Sequence, residues 1–210
     1  MLKLVVGDRN FSSWSLRPWL AAKQAGLPFE EVRVRLRAPD AKENILRHSP
    51  SGKVPCLIDG NTSVWDSLAI CEYLAELAPN LWPAERAARA EARSVSAEMH
   101  SGFTPLRQNM GMDIRAAKPG QGRTPEVEAD IARIIAIWEG CLANARSRHA
   151  AGGPFLFGDF SIADAMYAPV VWRFVTYAVA LPAASQAWSD AMLALPAMRE
   201  WQAGALAEAE

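Results

Sequence analysis

The chain has 210 residues, half of them apolar and 21% charged, with a formal net charge of −1 at neutral pH. That length supports one large domain or two small ones around a hydrophobic core, and the composition excludes a disulfide-stapled miniprotein and extended disorder. Residues 1–80 carry a net +1 and the remainder −2, so the clustered positive charge that grips nucleic acid or an anionic membrane surface is missing.

In chain order, Leu2, Leu4 and Val6 alternate with Lys3 and Val5, the period of two that a half-buried strand requires. Residues 16–25 read as a helix stopped by Gly26, a favoured residue just past a helix end. Val32, Val34 and Leu36 alternate with Arg33, Arg35 and Arg37, predicting a second strand with a basic face suited to a solvated sheet edge. A short helix at 42–48 follows, then a strand at 54–58, a turn at Asp59-Gly60-Asn61 and a hairpin partner at 63–65. Ile70, Leu74 and Leu77 recur at helical spacing. The order is β-α-β-α-β-β-α.

Pro79-Asn80-Leu81-Trp82-Pro83 breaks that pattern, and the rest reads as helices at 84–108, 124–149, 161–177, 183–195 and 196 to the end. Val127, Ile131, Ile134, Ile135, Trp138 and Leu142 form one apolar stripe in the second of these. The expected architecture is an α/β domain over residues 1–78, a linker at 79–84 and an all-α domain over 85–210. The longest apolar region, 167–180, is interrupted by Arg173 and followed by Pro182, so no segment reaches the ~20 residues of a membrane span. Leu4-Val5-Val6 is too short for a signal-peptide core. Cys56, Cys71 and Cys141 have no C-x-x-C spacing, which points to a reducing, cytoplasmic setting. His48, His100 and His149 are dispersed without paired acids or cysteines; surface or loop placement is expected for them, and no metal site.

Chemistry can be sought in three places. Asn10-Phe11-Ser12-Ser13-Trp14-Ser15 joins the first strand to the first helix. Its serines can cap the helix or, with the positive end of the helix dipole, hold an anion such as a thiolate. In Gly52-Lys53-Val54-Pro55, Pro55 is either a plain strand start or the second residue of a cis bond that turns the Val54 backbone outward as a pairing edge. In Trp65-Asp66-Ser67-Leu68-Ala69-Ile70, an acid and a hydroxyl precede an apolar helix. They can cap it or grip the ammonium and carboxylate of an α-amino acid.

Taken together, at this order and spacing, with a helical domain behind them, these segments resemble the cytosolic glutathione S-transferase family over essentially the whole chain. Ser49-Pro50, Gly52-Lys53-Val54-Pro55-Cys56-Leu57 and the run from Asp66 to Leu74 are similar to that family's glutathione-binding core. Ser161-Ile162-Ala163-Asp164, with Pro169 after it, is similar to the capping box of its central helix, and an S-x-x-D box satisfies free N–H groups at a helix start; Asp164 is therefore expected to be structural. The resemblance implies a thioredoxin-like N-terminal domain, an all-helical C-terminal domain and a homodimer. It implies glutathione as a substrate, with no further cofactor, and a small hydrophobic electrophile as the second. Asp66 and Ser67 would bind the γ-glutamyl end, Val54 before a cis Pro55 the cysteinyl segment, and Lys53 the glycyl carboxylate.

A free thiol has a pKa of ~8.5, and lowering it by ~2 units needs ~2.7 kcal/mol of preferential thiolate stabilisation, within reach of one hydroxyl and a helix N-terminus. Members of the family use a Tyr, Ser or Cys near the end of the first strand. Here the first tyrosine is Tyr73 and the first cysteine Cys56, which leaves the serines. Ser12-Ser13-Trp14-Ser15-Leu16-Arg17 is similar to the zeta-class pattern S-S-C-S-W-R, with Trp14 in place of its cysteine. That implies Ser12 as the catalytic hydroxyl and Ser13 as a glutathione contact. Trp14, Phe103 and Arg173 are expected at the electrophile pocket. Zeta members also isomerise maleylacetoacetate with an arginine of the central helix; the matching position, counted from Pro169, is Thr176, and Arg173 lies one turn earlier. A glutathione-dependent isomerase and a non-catalytic binding protein of the same fold are the alternatives to a transferase. The second would lack the ligand grip, whereas Lys53, Pro55, Asp66 and Ser67 all stand.

Overall fold

A computed structural model describes residues 1–148 and 153–208. Alternating apolar residues place β1 (Leu2–Val6) at the centre of a four-stranded sheet of order β2-β1-β3-β4. β1 runs parallel to β2 (Phe29–Arg33) and antiparallel to β3 (Cys56–Asp59), which forms a hairpin with β4 (Thr62–Trp65). The crossover between β1 and β2 is α1 (Ser13–Gln24), whose Leu16, Trp19 and Leu20 are fully buried. α2 (Ala41–Leu46) and α3 (Ser67–Leu77) complete a thioredoxin-like arrangement.

β2 begins and ends earlier than the alternation predicts. Val34 still donates to the Val6 carbonyl at 2.8 Å, but the next outward N–H, that of Leu36, is taken by Asp8 Oδ2 at 2.8 Å. The chain thus leaves the ladder, and of the three arginines only Arg33 remains on the edge strand. In α3, Ile70 and Leu74 are buried as expected, but Leu77 is 47% exposed because the core ends before the last turn.

A 3-10 turn (Pro79–Leu81) leads to α4 (Arg86–Ser101). The single helix expected over 84–108 is two: Gly102 is extended, Phe103 is left-handed at φ 58°, and α5 (Thr104–Asn109) starts afresh with Pro105 in its first turn. Proline is tolerated in that first turn and disrupts a helix interior, so Gly-Phe-Thr-Pro divides the run. α6 (Pro125–Arg148) buries Val127, Ile131, Ile134, Trp138 and Leu142; Ile137 joins them, and Ile135 is only half-buried. His149, expected at the end of this helix, lies outside the described residues.

α7 (Ile162–Tyr177) is the axis of the helical domain, with every residue but Val175 buried. Ser161 caps it in a reciprocal box with Asp164. Asp164 Oδ2 also accepts the Ser161 hydroxyl, and Oδ1 accepts from Leu156 N at 3.0 Å and Trp188 Nε1 at 2.8 Å. α8 (Ala183–Ala194) and α9 (Pro196–Ala207) close the chain. α1 packs on both α3 and α7, and one apolar cluster runs from Leu4 and Leu57 in the sheet through α1 to Trp138 on α6. This continuity holds the first turn of α1 firmly against the helical domain. No helix among the described residues is long and apolar enough to cross a membrane.

Candidate functional site

A cavity of about 500 Å³ opens over the ends of β3 and β4, lined by Trp14, Ser51, Lys53, Val54, Pro55, Trp65, Asp66, Ser67 and His100. It is within the usual size of a small-ligand cleft. The Val54–Pro55 bond is cis, and the peptide groups of Val54 have no partner among the described residues. An unpaired peptide beside a strand is an edge that an extended ligand can extend.

Asp66 adopts φ 74° and caps α3, its Oδ1 accepting from Leu68 N at 2.9 Å and Ala69 N at 3.3 Å. Its other oxygen faces the cavity rim, where His100 Nε2 of α4 lies 3.1 Å away. His100 therefore has a paired acid, contrary to the sequence expectation; the partner is 34 positions away and meets it only because α4 folds back over α3. Ser67 is 1% exposed and its hydroxyl has no partner. A buried, unpaired hydroxyl is costly, and here it lines a cavity that also holds an acid and an open peptide edge.

The serines sit at the adjoining helix start. Ser12 is the N-cap of α1, yet its side chain makes no capping bond. Its hydroxyl donates to Ser15 Oγ at 2.7 Å, and Ser15 Oγ also accepts from Gly7 N at 3.1 Å. Ser13 Oγ accepts from Arg173 Nη2 at 3.3 Å. The loop before them is clamped from the helical domain: Glu208 accepts from the N–H groups of Arg9 and Asn10, Trp201 Nε1 donates to the Arg9 carbonyl, and Asn10 Nδ2 donates to Asp113 at 2.9 Å.

The residues expected at an electrophile pocket separate. Trp14 lines the cavity, its ring 5.4 Å from that of His100. Phe103 and Arg173 are buried, at 7% and 3% exposure, and are not among the residues lining this cavity. Behind Trp14, two further arginines approach its ring, Arg17 at 4.3 Å and Arg107 at 5.4 Å. Sequence reading passed over both; the only sign of them was Arg17 at the end of the S-S-W-S-L-R run. Thr176 donates its hydroxyl to the Asp113 carbonyl at 2.9 Å. A second cavity of about 500 Å³ is bounded by the serine loop at Asp8 and Phe11, by Arg37, whose guanidinium lies 4.0 Å from the Phe11 ring, and by Arg115 and Glu208. No cluster of three or more metal-ligating side chains occurs among the described residues.

A thioredoxin-like sheet carrying a cis-proline cavity, joined to a helical domain through a capped central helix, defines a narrow structural class. Residues 11–77 match the glutathione S-transferase N-terminal domain, and residues 121–202 the glutathione S-transferase C-terminal domain. Maleylacetoacetate isomerase of Rattus norvegicus is 33% identical over 170 residues, 78% of this chain and 73% of that protein. A probable maleylacetoacetate isomerase of Caenorhabditis elegans is 28% identical over 161 residues, 76% and 74% of the two chains. Among solved structures, an epsilon-class glutathione S-transferase of Musca domestica superposes with a TM-score of 0.72 at 23% identity, covering 98% of this chain and 94% of that one. The chain belongs to the glutathione S-transferase family.

Proposed function

We propose that this protein binds glutathione in the cavity around Ser67 and activates its thiol at the first turn of α1, transferring it to a small hydrophobic electrophile without a further cofactor. The observation that carries this reading is the buried, unpartnered Ser67 hydroxyl beside Asp66 and the open Val54 edge. These are the groups needed for an α-amino acid head and a peptide segment. Lys53, at the same rim, supplies a cation for the glycyl carboxylate. Ser12 and Ser13 are the candidate hydroxyls for the thiol, and Trp14 the aromatic wall on the electrophile's side. A glutathione transferase homolog from Burkholderia, solved with bound glutathione, has the same fold at 24% identity and a TM-score of 0.65.

A second reading, isomerisation of an acidic substrate with glutathione as the reagent, is favoured by the two isomerase relatives. Against a strict parallel, Thr176 stands where the class arginine is expected and its hydroxyl is engaged by Asp113. We further propose that the chain works as a cytoplasmic homodimer. The test is retention on immobilised glutathione, followed by thiol-transfer assays with a panel of neutral and carboxylate-bearing electrophiles. Conjugation of neutral electrophiles supports the transferase; turnover confined to a cis-unsaturated diacid supports the isomerase; failure to be retained and to turn over either overturns both.

A further inference from the structure

Three guanidinium groups cluster behind the first turn of α1, Arg17 and Arg107 over the Trp14 ring and Arg173 on Ser13. Arg17, on α1, is buried; its Nε donates to the Met166 carbonyl of α7 at 3.1 Å, and its Nη1 has no partner. Arg173, on α7, is equally buried; its Nε donates to the Met110 carbonyl at 2.9 Å, its Nη2 to Ser13 Oγ, and its Nη1 has no partner. Arg107, on α5, donates to the carbonyls of Met99 and His100. None of the three forms a salt bridge among the described residues. The acid that Arg17 feels is Asp66, already committed to the α3 cap and to His100; the Cys71 thiol also faces Arg17, Tyr177 faces Arg173, and Asp130 faces Arg107.

Buried cations without a counter-ion are expensive. Burial, with repulsion between the arginines added, depresses Arg17 to about 9 and Arg173 to about 10, so both remain charged at neutral pH. Their positive field lies at the start of α1, where the N–H groups of the first turn lack intrahelical partners. An anion at that helix start would meet both the unpaired guanidinium charge and the free N–H groups.

Of the two candidate hydroxyls, Ser12 spends its proton on Ser15 Oγ. Ser13 instead accepts from Arg173, which occupies a lone pair, fixes the side chain and leaves the Ser13 proton to give away. We propose that Ser13 is the catalytic hydroxyl, donating its hydrogen bond to the glutathione thiolate, and that Arg173 is its positioning residue, with Arg17 adding charge from behind Trp14. No covalent bond is made or broken in this step: the thiol proton leaves to solvent and the thiolate takes the Ser13 hydrogen bond. Arg173 thereby serves the thiol rather than the electrophile. The inference rests on glutathione occupying the Ser67 cavity.

The experiment follows the ionisation of bound glutathione by thiolate absorbance against pH in the unmodified protein and in S12A, S13A, R173M and R173K, with glutathione affinity measured by calorimetry alongside. Met fills much of the space of Arg without its charge, at the cost of leaving the buried Met110 carbonyl without its donor. S13A and R173M should each raise the pKa of the bound thiol by about one unit, a tenfold loss of thiolate at neutral pH. The double variant should shift it no further than the larger single one, because the two act through one bond. R173K should recover at least half of the shift, and S12A should move it by under about half a unit. A shift in S12A alone, or an R173M protein of lowered melting temperature with the thiol pKa unchanged, would overturn the assignment. Should R173M fail to fold, S13A against S12A decides it. Loss of calorimetric binding in the unmodified protein overturns the glutathione reading itself, and the proposal with it; binding with the wrong pattern of shifts overturns only the roles of Ser13 and Arg173.

Discussion

Ser67→Ala should strengthen the free protein and weaken its complex. In the absence of ligand the Ser67 hydroxyl is buried, with no partner for its oxygen. Leaving such a group unsatisfied costs about 1–3 kcal/mol, and alanine is also the better helix former at the first position of α3. The variant should therefore be as stable as the parent or up to about 1 kcal/mol more so, which for a chain of this size is a rise of about 2–4 °C in Tm. With glutathione the sign reverses. A hydrogen bond to a charged carboxylate is worth about 1.5–3 kcal/mol, so Kd should rise by about ten- to a hundredfold. Thermal unfolding without ligand and calorimetric titration with it read the two halves separately. If the variant melts lower than the parent while binding glutathione equally well, the hydroxyl is a structural group and the cavity has been misread.

Asp164→Ala removes the acceptor for Leu156 N, Ser161 N and Trp188 Nε1, all buried; three stranded donors should cost at least about 3 kcal/mol, read as a shift in urea midpoint, and a loss under about 1 kcal/mol would contradict the role of the box. Acid should loosen the serine loop. Burial pushes the carboxyls of Glu31 and Asp113 up, but Arg9 and Trp19 on the one, and Lys118 and Asn10 on the other, bring both below their ordinary values of 4.5 and 3.8. Groups with depressed folded pKa values contribute stability at pH above the unfolded value and lose it as pH falls through the folded one. Stability should therefore hold from pH 7 to about 5 and fall below about 4, with Glu31→Gln and Asp113→Asn each flattening that fall. The thiols of Cys56, Cys71 and Cys141 are buried, and burial pushes Cys71 far up and Cys56 up as well. Since the thiolate is the reactive form, none should react with a disulfide reagent in the native protein, and all three should react after unfolding; a native-state titre of one would contradict this.

The arginines behind Trp14 give the site its particular character. A hydroxyl alone, or a helix N-terminus alone, is a modest stabiliser of an anion; a hydroxyl that is itself a hydrogen-bond acceptor from a buried guanidinium adds charge at a fixed distance in a low-dielectric setting. The free protein bears that charge through two peptide carbonyls and the face of an indole ring.

Much of this protein is legible in its sequence alone. The two-residue period of β1, the Asp-Gly-Asn hairpin turn, the S-x-x-D box of α7 and the stripe of α6 are local patterns, and local patterns report which side of an element faces the core. The grouping of Lys53, Val54, Pro55, Asp66 and Ser67 into one cavity followed from their spacing and family resemblance. Three features needed the tertiary structure. β2 stops early because a carboxylate from the β1–α1 loop, Asp8, outcompetes the ladder for Leu36 N. Asp66 meets His100, and Ser13 meets Arg173, across 34 and 160 positions of chain. Periodicity says that a side chain points inward but not what it will find there, since long-range partners are chosen by how α1, α4 and α7 pack, and packing depends on the shapes of all three at once. The sequence by itself therefore determined the order of the elements, most of their inward faces and the family; only the folded protein decided where β2 ends, where the 84–108 run divides and which cations stand behind the serines.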